Sequence, residues 1–427
     1  MEVKIIRNSP ALRWMLPSFF DRAFVVIYDP PCEQLESEIK KYNNRDWTMK
    51  LKLQNILFFV IVLALTVGAL PVWAQEGVWT IGPRTLPPSV DVSDEFREAL
   101  LNTPTPDVEA AKSNVPETTE QWEAMIRAAD EKTAVAARKM AQALSVKVQH
   151  DTISGVNVYR VTPPEIAPEH KSHLFFHVHG GAYILNGGEA GTFEAVLIAS
   201  HLKMPVVSID YRMPPKHPAP AAMEDVVTVW KVLLSERSPA LMAMGGTSGG
   251  AGLTISSVQR FQGLGLPLPQ ALLLGTPGAD AGKVGDTRFI NDGIDTSLVT
   301  WDGIVDQALR MYAANYDLTH PYVSPVYGEF EGFPPSYLIS GTRDLMLSDT
   351  VRVHRKLRRA GVDADLHVYE GQSHADYLKF MNVPESFEHF AELNAFLLKH
   401  LSKPLATTST LPNGVLKNIE VPDSVAY

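Results

Sequence analysis

A chain of 427 residues, 45% hydrophobic and 20% charged, is long enough to bury a large core, and one α/β domain with a small appendage is its natural division. A net charge of −10 gives no reason to expect nucleic acid as a partner. The single cysteine, Cys32, excludes a disulfide framework or a thiolate metal site within one chain, and it stands too near the N-terminus to suggest a cysteine nucleophile.

Residues 1–48 show no sustained periodicity and mix aromatic, charged and Pro-Pro segments. The character changes at Met49-Lys50-Leu51-Lys52, a short basic start followed by a continuous apolar run over 56–70 and by Pro71-Val72-Trp73-Ala74, which ends in small residues. This reads as a secretory signal peptide over 49–74 with cleavage after Ala74, which makes 1–48 a non-native upstream extension and the mature protein secreted or periplasmic. The membrane is then met only transiently, through the leader. The alternative is a single-span membrane anchor, because residues 51–73 are nearly long enough to cross a bilayer. No cysteine follows the cleavage point, so a lipid anchor there is excluded.

Residues 75–145 form an N-terminal helical segment. Up to 116 it is loop-like with short helical pieces, as at 93–101, and over 120–144 Trp122, Met125, Ile126, Ala129, Ala136, Met140 and Leu144 recur at helical spacing. An amphipathic helix packed on the domain and a cap lying over a site both fit that pattern. From 146 to 401 strands alternate with helices. Residues 146–150 and 155–161 read as an antiparallel pair, and 174–178, 204–209, 241–244, 271–274, 336–339 and 366–369 as short apolar strands. Helical patterns run over 221–234, 253–261, 350–360 and 385–401. The alternation predicts an α/β fold with a mostly parallel central sheet flanked by helices, and reactive groups at the carboxyl ends of its strands. The tail over 402–427 carries Pro, Thr and Ser without periodicity.

Four strand ends carry chemistry. Gly246-Thr247-Ser248-Gly249-Gly250 lies between a strand and a helix, the layout of a nucleophile elbow, with small residues two before and two after the serine. A lone Gly-x-Ser-x-Gly is weak, since such turns also bind phosphate or permit tight packing. His179-Gly180-Gly181-Ala182-Tyr183 follows the strand at 174–178, where a Gly-rich loop lets backbone amides approach a developing oxyanion. Gly180 shapes that turn, and the amides of Gly181, Ala182 and Gly249 are the expected donors. The competing reading, a metal site at His177 and His179, lacks a third ligand cluster. Ser340-Gly341-Thr342-Arg343-Asp344 and Gly371-Gln372-Ser373-His374 end two later strands. A serine hydroxyl needs a histidine to take its proton and a buried carboxylate to fix the histidine tautomer. Ser248, Asp344 and His374 occur in the order Ser…Asp…His, which belongs to α/β-hydrolases. Asp349 is the rival acid but reads better as the N-cap of the helix from Thr350, and His367 is the rival base but lies within a strand.

Residues 171–377, roughly half of the chain, resemble the bacterial hormone-sensitive-lipase-like (family IV) esterases, in the subgroup similar to monoterpene ε-lactone hydrolases. The landmarks are His179-Gly180-Gly181, Asp210-Tyr211-Arg212 followed by Pro218-Ala219-Pro220-Ala221-Ala222, Gly246-Thr247-Ser248, and the stretch 341–349 followed by His374. The resemblance implies an α/β-hydrolase core under an N-terminal helical cap, no metal or organic cofactor, and a serine carboxylesterase acting on short- to medium-chain esters. It also implies a supporting role for Asp210 and Arg212 near the oxyanion loop. Three departures bear on substrate preference: Ala182 stands where the loop's third glycine is usual and serves if its φ is negative, Lys216 replaces a common acidic residue, and Gly249-Gly250-Ala251-Gly252 replaces Ala-Gly-Gly-Asn. A lactonase or amidase would use the same triad. A non-catalytic binding module, as in the plant gibberellin receptors that resemble this family, lacks the catalytic histidine, which is present here as His374. The expected partner is a small-molecule ester or lactone, and a homodimer is one assembly open to the chain. N-terminal sequencing of the mature protein is expected to begin at Gln75; a start at Met1 would overturn the reading of 1–48 as an extension.

Overall fold

Among the described residues, 79–80, 82–83 and 85–402 of a computed structural model, eight strands form one sheet. They are β1 (Lys147–Ile153), β2 (Val156–Thr162), β3 (Leu174–Val178), β4 (Val206–Asp210), β5 (Met242–Thr247), β6 (Ala271–Gly275), β7 (Ser336–Gly341) and β8 (Ala364–Tyr369). The order across the sheet is β1-β2-β4-β3-β5-β6-β7-β8. β2 pairs antiparallel with both β1 and β4, and every other pair is parallel. The described residues from Leu86 onward form one compact unit, and the sheet belongs to it. The segments read above as an upstream extension and a leader, and the tail beyond Ser402, lie outside the described residues.

β3, β5, β6 and β7 are buried along their whole length, as parallel strands covered on both faces must be. Successive side chains alternate between two cores: Phe176 and Met244 point to one face, Phe175 and Ala243 to the other. On the first face Trp230 of helix α5 (Ala221–Glu236) stacks between Phe176 at 6.2 Å and Phe261 of helix α6 (Gly249–Gly263) at 5.5 Å, and its Nε1 donates to Pro267 O at 2.9 Å. On the second face lie α4 (Thr192–Leu202) and α11 (Pro384–His400). α4 is absent from the sequence-level elements for a physical reason. It is buried nearly all round, so it shows no polar face against which a helical period could stand out. β5 runs three residues further than its apolar signature, because Gly245, Gly246 and Thr247 still pair with β6.

Before the sheet come α1 (Asp94–Leu101), α2 (Val108–Ser113) and α3 (Thr119–Ala143). α3 starts on a capping box in which Thr118 and Gln121 satisfy each other's backbone N–H. Its Trp122 packs with Ile184, in the loop after β3, and with Ala308 of α8 (Ile304–Ala313). The Ser93 cap of α1 reaches across the molecule: its N and Oγ donate to the Glu385 carboxylate at 2.7 and 2.8 Å, while Phe96 sits edge-on to Phe380 at 5.7 Å.

Asp349 is not the helix cap that the sequence suggests. Helix α9 (Leu347–Arg359) begins three residues earlier, behind Met346, so Asp349 falls inside its first turn. The carboxylate turns inward and accepts from Ala279 N at 3.0 Å, Asp280 N at 2.9 Å and the Arg288 guanidinium at 2.7 Å. Both partners of that ion pair are fully buried, and the guanidinium lies 3.8 Å over the Trp301 ring. Burial pushes the Asp349 carboxyl up to about 6 against the pull of Arg288. The contact holds the loop after β6, whose Gly278 N donates to Ser248 O at 3.0 Å. Removing one member of a buried pair strands the other charge, which costs about 3–5 kcal/mol. Arg288→Ala is therefore expected to lower the unfolding free energy measured by urea denaturation at pH 7 by an amount in that range, and a loss below about 1 kcal/mol would contradict a structural role for the pair.

Candidate active site

Ser248 occupies the sharp turn between β5 and α6, with φ +63° and ψ −125°. A non-glycine residue at positive φ is strained and persists only where its surroundings over-determine it. Here Ser248 N donates to Gly275 O at 2.8 Å, while Ser248 O accepts from Gly278 N at 3.0 Å and Gly252 N at 3.1 Å. A Cβ on either Gly246 or Gly250 would collide with the Val178 carbonyl oxygen, so both flanking positions require glycine.

The loops after β7 and β8 bring Asp344 and His374 to this turn. His374 Nε2 lies 2.9 Å from Ser248 Oγ, and His374 Nδ1 lies 3.0 Å from Asp344 Oδ1. The Asp344 carboxylate is fully buried. Its Oδ1 also accepts from Met346 N at 2.8 Å, and its Oδ2 accepts from Ser340 Oγ at 2.6 Å and from Thr276 Oγ1. Burial alone would raise the Asp344 pKa, but the imidazolium of His374 and the hydrogen bonds to His374, Ser340 and Thr276 outweigh it and hold the carboxyl below its ordinary value. For His374, burial disfavours the charged ring. The Asp344 charge and hydrogen bond, helped by the charges of Asp295 and Asp376, reverse that, so its pKa is raised above 6.5.

Among the described residues the backbone amides of Gly181, Ala182 and Gly249 donate to no carbonyl or side chain. Two of these positions lie close together: a Cβ on Gly249 would be 3.4 Å from Ala182 N and 3.2 Å from Tyr183 N. The condition placed on Ala182 fails. Its φ is +50° and that of Tyr183 +62°, so two non-glycine residues carry left-handed backbone in succession. Packing supplies the compensation, because the Tyr183 ring is buried and stacks on Tyr312 with centroids 3.9 Å apart. At Gly181, by contrast, φ is +114° and a Cβ would lie within 2.5 Å of Leu185 O, so glycine is required there.

The other residues singled out in the sequence lie around this centre. His177 sits 2.9 Å from Ser208 Oγ and 3.1 Å from Glu194 Oε2, while His179 stacks on Tyr211 at 4.1 Å, so the two rings serve separate contacts. Burial lowers the His179 pKa to about 3, and the neutral ring donates from Nδ1 to Gly180 O at 2.8 Å. Asp210 Oδ1 accepts from Gly188 N at 2.8 Å, below the Gly-rich loop, and Arg212 Nε donates to Asp225 at 2.9 Å. His367 pairs instead with Glu392 Oε2 at 3.0 Å and stacks on Tyr337.

Sequence reasoning missed several neighbours. Thr276 closes a three-way contact, its Oγ1 also 3.0 Å from His374 Nδ1. Asn291 Nδ2 donates to Asp344 O at 2.9 Å. Asp295 accepts from Leu345 N at 2.9 Å and, on its other oxygen, from Ser297 N and Leu298 N. Thr276 follows the end of β6, so the strand-end rule that found Asp344 and His374 could have found it too. Asn291 and Asp295 lie in a loop with no local signature.

A cavity of about 610 Å³ opens over Ser248 and His374. Leu298, Val305 and Leu378 line it from the catalytic domain, and Ala111, Asn114 and Thr133 line it from the α2–α3 segment. No helix among the described residues is long and apolar enough to cross a membrane.

A model of the alpha/beta hydrolase fold matches residues 175–378. A crystal structure of an esterase E25 is 54% identical, with a TM-score of 0.75, and the match covers 76% of this chain and 99% of that one. An acetyl-hydrolase of Streptomyces hygroscopicus is 27% identical over 222 residues, which is 52% of this chain and 74% of the relative. An esterase from the bacterial hormone-sensitive lipase family shares the fold at 24% identity and a TM-score of 0.58, over 73% of this chain and 99% of that one. With 54% identity over 76% of its length to an esterase that it spans almost end to end, and with the serine turn, sheet order and strand-end residues described above, this chain belongs to the α/β-hydrolase family.

Proposed function

We propose that the protein is a serine carboxylesterase that hydrolyses short- to medium-chain carboxylic esters through an acyl-enzyme. The observation that carries the reading is the continuous line from Ser248 Oγ to His374 Nε2 (2.9 Å) and from His374 Nδ1 to Asp344 Oδ1 (3.0 Å), at a cavity that Ser248 and His374 line together with Gly181 and Ala182. Neutral His374 donates Nδ1–H to Asp344, which leaves the Nε2 lone pair to accept the Ser248 hydroxyl proton as Oγ attacks the ester carbonyl. The carbonyl oxygen becomes an oxyanion, and the amides of Gly181, Ala182 and Gly249 stabilise it in the orientation they already hold. The imidazolium then protonates the departing alcohol and leaves an ester on Ser248. A water deprotonated by Nε2 attacks that ester, and the acid departs with Ser248 Oγ reprotonated. The mostly apolar surface of the cavity suits an acyl or alkyl chain, and its volume of about 610 Å³ fits a short- to medium-chain ester. With a leader expected over 49–74, we assign the reaction to the periplasm or the exterior of the cell.

A panel of p-nitrophenyl esters of increasing chain length tests this on protein beginning at Gln75. Turnover is expected to peak at short or medium chains and to fall by about 10⁴-fold or more in kcat in Ser248→Ala and in His374→Ala. Ser248→Ala retaining most of the rate would refute the assignment, and turnover of lactones without any ester would move it to a lactone hydrolase.

The pH profile follows from the raised His374 pKa. The base is inactive when protonated, so kcat/KM is expected to rise with pH through a midpoint above 6.5. Asp295 stabilises the imidazolium by its charge. Asp295→Asn is therefore expected to lower the histidine pKa and move the acid limb to lower pH, and a shift in the opposite direction would refute that electrostatic role.

A further inference from the structure

Two carboxylates from distant parts of the chain grip the turn that follows the Gly-rich loop. Asp130 on α3 accepts from Asn186 N at 2.6 Å, and Asp210 at the end of β4 accepts from Gly188 N at 2.8 Å. The approach from α3 is close, since a Cβ on Gly187 would lie 3.2 Å from Asp130 Oδ2. Asn186 is held with φ +69°, and its side chain turns back so that Nδ2 donates to Gly180 O at 3.2 Å. His179 Nδ1 donates to the same oxygen at 2.8 Å, so both acceptor positions of that carbonyl are used.

The Gly180 carbonyl and the Gly181 N–H belong to one planar peptide unit. Two donors on the oxygen therefore fix the direction of the N–H on the far side, one of the expected oxyanion donors. We propose that Asp130 and Asn186 are positioning residues for the oxyanion: Asp130 holds Asn186, Asn186 orients the Gly180–Gly181 peptide, and Asp130 thereby sets the rate of a reaction it does not touch. The inference rests on the serine-esterase reading above. Asp130 is absent from the cavity lining, which separates its role from substrate contact, whereas Asn186 lines the cavity, so the KM of its variant reads pocket shape as well. The other polar tie between α3 and this loop, Arg138 to Glu189 at 2.6 Å, has both side chains substantially exposed, and such pairs contribute little. Beside the apolar packing of Trp122 on Ile184, the Asp130 contact is the part-buried polar link that fixes the backbone at Asn186.

The test compares Asp130→Ala, Asn186→Ala, the double variant and the conservative Asp130→Asn with the unsubstituted enzyme. The readouts are kcat and KM on p-nitrophenyl butyrate and the inhibition constant of a trifluoromethyl ketone, whose adduct on Ser248 carries the oxyanion. Losing an oxyanion donor outright costs roughly 10²–10³-fold, so misdirecting one is expected to lower kcat by about tenfold in each alanine variant. KM should stay within about twofold, and inhibitor affinity should weaken in step with kcat. The double variant should lose about as much as either single one, because both act through the same peptide. Asp130→Asn, which keeps an acceptor oxygen, should retain most of the rate.

Unchanged kcat in folded Asp130→Ala or Asn186→Ala overturns the proposal. So does a loss confined to KM with inhibitor affinity intact, which would mean that α3 only shapes the pocket, or a multiplicative loss in the double variant. Asn186→Ala leaves the α3 side chains untouched and tests the same link should Asp130→Ala not fold. Turnover that survives Ser248→Ala would instead refute the esterase reading itself. Serine-dependent turnover indifferent to Asp130 and Asn186 refutes only this inference.

Discussion

The closeness of β3 to the turn after β5 is the constraint on which the site depends. One carbonyl, that of Val178, occupies the space where side chains at positions 246 and 250 would otherwise stand. With those positions reduced to glycine, Ser248 can take a backbone conformation in which its side chain stands clear of the sheet and the helix behind it begins immediately. The same proximity brings the loop leaving β3 against the first residue of α6, so the amides of Ala182 and Gly249 become neighbours. Nucleophile and amide cluster are thus two results of one packing contact, and neither could shift without disturbing the other.

Behind the reacting side chains lies a layer of buried polar groups whose hydrogen bonds are short and mutual. Thr247, adjacent to the nucleophile, donates to Glu194 at 2.6 Å and lies 2.8 Å from Tyr377 OH, while the other Glu194 oxygen meets His177. The nucleophile's chain neighbour is therefore anchored to α4 and to the loop that carries His374. Partly satisfied, such a network would cost more than an apolar core; satisfied, it fixes one arrangement. Asp344 owes its low pKa to the same principle, because four donors compensate a carboxylate wholly removed from water.

Most of this was legible in the sequence wherever a rule of local geometry applied. The alternation of apolar runs with helical patterns gave the sheet, and the position of each reactive residue just past a strand gave Ser248, Asp344 and His374, which the fold brings into hydrogen-bonding distance. What escaped was set by tertiary contact. Asp349 looks like a helix cap because aspartate often is one, and only the buried Arg288 explains why it turns inward. Ala182 takes a left-handed φ because Tyr183 is locked on Tyr312, two residues separated by more than a hundred positions. Asn186 and Asp130 carry no motif at all; their meaning appears only when a helix and a loop meet.

The clasp between Ser93 and Glu385 spans 292 positions of sequence. During synthesis this clasp on the earliest of the described helices cannot close until the last of them has begun to be made. Contacts of such separation form slowly, since the entropy of closing the loop is lost before the contact rewards it. Meanwhile Phe96, which ends fully buried, remains an exposed aromatic on a nascent chain. Assembly of this enzyme is closed from both ends of the domain at once, so a ribosome-bound or truncated chain lacking the final helix carries an unsatisfied hydrophobic arm that chaperones or proteases can recognise.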